Sequence, residues 1–107
     1  MGLRCEEVCE AMKSFKIPAR IKIKNKVVYE IVWVDSFADP DVLGECRFDT
    51  KQIVLKQGQS EREIMKTFIH ESLHAMEFER GIKIPHKVIY QLEDAVYYFL
   101  FHNDWHG

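Results

Sequence analysis

Ser60-Glu61-Arg62-Glu63-Ile64-Met65-Lys66-Thr67-Phe68-Ile69-His70-Glu71-Ser72-Leu73-His74-Ala75-Met76-Glu77-Phe78-Glu79-Arg80-Gly81 is the stretch on which the fold turns. Ser60 followed by Glu63 has the form of a capping box. In that arrangement the serine hydroxyl accepts from the amide of the third residue and the glutamate reaches back to the cap amide. Ile64, Met65, Phe68, Ile69, Leu73 and Met76 recur at helical spacing and form an apolar stripe. Gly81 is a natural C-terminal stop. The stretch therefore predicts one long helix. Within it, His70 and His74 stand one turn apart and about 40° apart around the axis, so both imidazoles can reach one ion. Glu71 is adjacent and can lean toward a water on that ion. This is the HExxH arrangement of two metal ligands and a general base. The neighbours Thr67, Phe68, Ser72, Leu73, Ala75 and Met76 are uncharged, as a helix packed on its own core requires.

On the N-terminal side the signals are those of strands. Arg20 to Lys24 alternates basic residues with Ile21 and Ile23 and reads as a strand with one wet face, turning at Asn25-Lys26 into Val27 to Val34, a more buried strand. Asp35 to Leu43 contains Asp39-Pro40-Asp41 and reads as loop. Gly44 to Phe48 and Gln52 to Lys56 flank Asp49-Thr50-Lys51 and read as a hairpin. Leu3, Val8, Met12 and Phe15 fall near one face of a short N-terminal amphipathic helix that Pro18 ends. On the C-terminal side, Ile82-Lys83-Ile84 is a short connection. Pro85 suits the first turn of a second helix running to about His102. The expected class is α+β: an N-terminal helix, a small, mostly antiparallel sheet of three or four strands, the motif helix and a C-terminal helix.

Composition bounds the function. The chain has 107 residues, 47% apolar and 30% charged, which fits a single domain over 1–107 with its own core. The net charge of −2, with both signs interspersed, provides no basic stripe for nucleic acid and no polybasic membrane anchor. The longest apolar run, Ala95 to Phe101, is far short of the roughly 20 residues of a membrane helix. The first residues lack an apolar signal region, and the three cysteines, Cys5, Cys9 and Cys46, are odd in number. Both features point to free thiols and a cytoplasmic location. Val96 to Phe101 is apolar on every face, which predicts a sandwiched helix or a homodimer contact. The tail His102-Asn103-Asp104-Trp105-His106-Gly107 carries groups able to reach a metal and block it, although a frayed terminus is the plainer reading.

A catalytic zinc needs a third protein ligand and an open fourth position. A metzincin site would place Gly at 77 and His at 80, and Glu77 and Arg80 exclude it. Two candidates remain. Glu93 returns to the level of Ser72 if the two helices pair antiparallel. His86 sits at the start of the second helix, within reach of an extended connection of about 20 Å. The two are seven residues apart, hence on one helix face, so one can ligate while the other supports a ligand from behind.

With these residues in view, 44–93 resembles a short zincin: the Gly44-Glu45-Cys46-Arg47-Phe48 and Gln52-Ile53-Val54-Leu55 hairpin followed by the motif helix. Small prokaryotic and phage zincin-like proteins, including the minigluzincins, are similar in length and element order. The glutamate spacing is similar to that of gluzincins, and the histidine at the next helix start resembles SprT-like proteases. The resemblance implies a Zn²⁺-dependent peptidase. His70, His74 and one of His86 or Glu93 would hold the metal, and Glu71 would be the general base. Peptide or protein substrate would lie along an edge strand, either 44–48 or 52–56. Tyr90, Tyr97 and Tyr98 are oxyanion donors by residue type alone. The rival expectations are a catalytically silent zincin-fold regulatory or interaction protein with a structural or vestigial zinc, and a structural ion clamping the last two helices.

Overall fold

Glu61–Arg80, the motif helix (α1), begins at Ser60, whose extended backbone and side-chain oxygen accepting from the Glu63 amide at 3.2 Å form the expected cap. Among the described residues the reciprocal bond from Glu63 is not formed, and Glu63 is exposed. The helix ends at Gly81, at φ 64°, where the Gly81 amide turns back to Phe78 and the Ile82 amide to Glu77. A left-handed stop of this kind favours glycine. The second helix, His86–Phe101 (α2), starts one residue after Pro85. This computed structural model describes residues 17–103. The expected helix over Leu3 to Phe15, with Cys5 and Cys9, and the tail from Asp104 lie outside the described residues.

Four strands precede the helices: β1 (Arg20–Lys24), β2 (Val27–Val34), β3 (Gly44–Arg47) and β4 (Gln52–Lys56). The class is α+β, as the patterning predicts. Both expected turns form, with Lys26 and Lys51 in the left-handed region at φ 66° and 56°. The sheet order is β1-β2-β4-β3. β1–β2 and β3–β4 are antiparallel, while β2 and β4 run parallel, with Ile31 opposite Ile53 and Trp33 opposite Leu55. The sheet is therefore mixed. Loop 35–43 carries the chain from the end of β2 to the far edge, and the hairpin then brings β4 back into the gap.

This order corrects one expectation. Gln52 to Lys56 is not an edge strand: β4 lies between β2 and β3, and Ile53, Val54 and Leu55 are fully buried. Of the two strands considered, only β3 has an open edge among the described residues.

α1 lies across the sheet, against β1, β4 and β3, and pairs with α2. One apolar cluster joins Ile23, Tyr29, Ile31, Ile53, Leu55 and Ala75 with the partly buried Phe68. A second joins Met65, Ile69, Tyr97 and Phe101 between the helices. Met76, expected in the stripe, is instead exposed. α2 buries Ile89, Tyr97 and Phe101 and leaves Tyr98 and Phe99 on the outside, so among the described elements it is not sandwiched. No helix among the described residues is long and apolar enough to cross a membrane.

Candidate metal centre

The helical turn that separates His70 from His74 brings their rings together, with centroids 4.8 Å apart. Their Nε2 atoms are 3.2 Å apart. The other nitrogen of each ring is held from behind. His70 Nδ1 lies 2.9 Å from the Glu93 carboxylate on α2, and His74 Nδ1 lies 2.8 Å from the Glu77 carboxylate, three residues on in the same helix. A carboxylate accepts only, so each Nδ1 donates to it, and in a neutral ring Nε2 is then the acceptor atom. At this distance the two Nε2 atoms can share a proton or bind one cation. Two nitrogens at about 2.0–2.1 Å from a tetrahedral zinc stand roughly 3.3 Å apart, close to the separation observed. The donor set fits Zn²⁺.

His86 enters from the first turn of α2. Its ring centroid is 5.9 Å from that of His70 and 5.3 Å from that of His74. One ligand atom from each of the three histidines lies within 4.8 Å of the others. His86 is exposed while His70 and His74 are half-buried, so the cluster opens outward on the His86 side. Of the two third-ligand candidates, His86 thus stands in the ring of histidines, and Glu93 is engaged with the back of His70.

Glu77 has a second role. Its other carboxylate oxygen accepts the Ile84 amide at 2.7 Å. That bond, and secondarily His74, hold its carboxyl below the usual range. One side chain thereby ties His74 to the connection that delivers His86. The i, i+3 spacing from His74 could have marked it in the sequence; its bond to Ile84 has no sequence signature.

Glu71 stands on α1 beneath β3. Burial pushes its carboxyl up, His70 opposes this, and the charges of Glu45 and Glu93 add to the rise. The approach of the strand is close. A Cβ at Gly44 would lie 2.4 Å from Thr67 Cγ2 and 3.3 Å from Glu71 Cγ. Glycine is needed there for contact rather than for conformation, and it sets the edge strand directly over the general-base candidate.

The tyrosines separate clearly. Tyr97 is in the core. Tyr98 stacks on His102 at 4.0 Å. Tyr90 is 59% exposed and lies beside the cluster, 5.3 Å from the His70 ring and 5.8 Å from the His86 ring. Cys46 packs against the core from β3, burial pushes its thiol up to about 12, and it is not one of the residues whose ligand atoms converge. No protein-family model, curated protein or solved structure matches the chain.

Proposed function

We propose that this chain is a zinc-dependent peptidase of the HExxH type, with His70, His74 and His86 as ligands and Glu71 as general base. The observation that carries this reading is the facing pair of Nε2 atoms on His70 and His74, 3.2 Å apart, with each ring anchored from behind by a carboxylate. A bound Zn²⁺ supplies the Lewis acidity that makes water nucleophilic near neutral pH.

The chain's own groups supply the rest. Glu71, partly withdrawn from water, takes the proton from the attacking water and passes it to the leaving amine. Tyr90 donates its phenolic hydrogen to the developing oxyanion. The open backbone edge of β3 holds an extended peptide by strand addition. Glu77 and Glu93 orient the histidines and raise their basicity. The free Cys46 suits a reducing cytoplasm.

Glu71 separates this reading from a silent or purely structural zinc fold, since a structural site is closed and has no use for a base. A metal clamp between the helices is also superfluous, because His70–Glu93 and Lys66–Asp94 already join α1 to α2. The test is cleavage of a mixture of unfolded polypeptides, read by mass spectrometry, with zinc content measured in parallel. Glu71→Gln should lose at least about 100-fold in rate and keep its zinc. Wild type that binds zinc and cleaves nothing, or Glu71→Gln that cleaves equally well, would refute the peptidase reading.

A further inference from the structure

A shallow, open cleft of about 420 Å³ lies beside the histidine cluster, with His74 and Glu77 in one wall and Phe48, Phe78, Ile82 and Lys83 around it. Phe78 is 54% and Ile82 50% exposed. Large apolar groups exposed next to a candidate metal ligand offer a contact surface for a bound side chain. The Phe48 and Phe78 rings stack at 4.6 Å and 16°. Lys51 covers Phe78 at 5.1 Å from the ring centroid and is itself tied to Glu79. The Ile82 amide is fixed to the Glu77 carbonyl at the left-handed stop of α1.

We infer that this cleft is the subsite that receives one aromatic or large aliphatic side chain of an extended peptide, from a residue next to the bond presented to the histidines. The inference rests on the peptidase reading. Three placements point to this occupant. Phe48 directly follows the last residue of β3, so a peptide laid along that open edge runs on over the cleft. His74 forms part of the wall, which puts the occupant within one residue of the reacting centre. The mouth faces solvent between β3's end and the helix stop, where a side chain enters and a folded domain is not required. Alternate residues of an added strand point to one face, so a single side chain is directed inward.

Binding can be read without turnover. Fluorescent nonapeptides of one Ser/Thr/Gly sequence, carrying Phe, Leu or Ala at the centre, are titrated by anisotropy into zinc-loaded Glu71→Gln protein. Burying the larger side chain should tighten binding roughly tenfold for Phe and Leu over Ala. Adding Phe78→Ala or Ile82→Ala should reduce that preference to about twofold or less while zinc content stays unchanged. Equal binding of all three peptides would overturn the inference and leave the peptidase reading standing. Binding of none, together with no cleavage by wild type, would overturn both. A dimer in solution that dissociates on Phe78→Ala would place a second copy in the cleft and overturn the inference.

Discussion

The two long sides of α1 are held in different ways. Toward the sheet, Phe68 and Ala75 close on Ile31, Ile53 and Leu55, where attachment is apolar, spread over many contacts and tolerant of small displacements. Toward α2, His70 and His74 are each fixed by one carboxylate, and His86 arrives through a connection tied down by one amide bond to Glu77. Around the histidines that side is polar, open to water and dependent on a few directional contacts, while Met65, Ile69, Tyr97 and Phe101 form an apolar cluster nearer the start of α1. The difference implies that stability and metal affinity should be separable by mutation.

The largest effect should come from the sheet side. Leu55→Ala, at a fully buried position, should cost about 2–5 kcal/mol in denaturant unfolding while still binding zinc wherever the protein remains folded. A loss under about 1 kcal/mol would show that the sheet side is not the main support. On the polar side, Glu77→Ala should weaken zinc about 10- to 100-fold in competition with a chelator, with little change in the unfolding midpoint of the metal-free protein. An unchanged zinc affinity would remove Glu77 from the site.

The long helix, its cap and stop, both hairpin turns and the strand identities were legible in the sequence because each has a local cause: an Ser60 hydroxyl, a left-handed glycine, an alternation of side chains. The parallel pairing of β2 with β4 was not, since it joins residues some twenty apart through a loop whose path no local pattern encodes. His70, Glu71 and His74 were legible because one helical turn sets their spacing. The choice between His86 and Glu93 was not. It depends on the axial offset of α2 against α1, which the Glu77–Ile84 bond and the 81–85 connection determine. The cleft was hidden for the same reason: Phe48 and Phe78 meet only once β3 lies over α1.

Gly44 stands where the two sides meet. Gly44→Ala would force its Cβ into Thr67 Cγ2 and should cost about 1–3 kcal/mol. Thr67→Ser, which deletes that methyl, should recover much of the loss in the double variant. Without recovery, the strand is not positioned by this contact.

The smallest effect lies away from the metal centre. Glu79 accepts from Lys51 and from the buried Tyr29 hydroxyl, which together hold its carboxyl below the usual value. A depressed folded-state value gives stability that is present above the unfolded value and is lost as pH falls through the folded one. Between about pH 5 and about pH 3 the Tm of wild type should therefore fall more steeply than that of Glu79→Gln. Parallel curves would show that the cluster contributes nothing to acid sensitivity.

The central claim is that three histidines, with Glu93 behind the first of them, form one zinc site. It is tested most directly by elemental analysis of wild type, His86→Ala and Glu93→Gln after equilibration with excess zinc and gel filtration. The account predicts about one zinc per chain in wild type and in Glu93→Gln, and none retained by His86→Ala. Zinc kept by His86→Ala and lost from Glu93→Gln, or absent from all three, would contradict it.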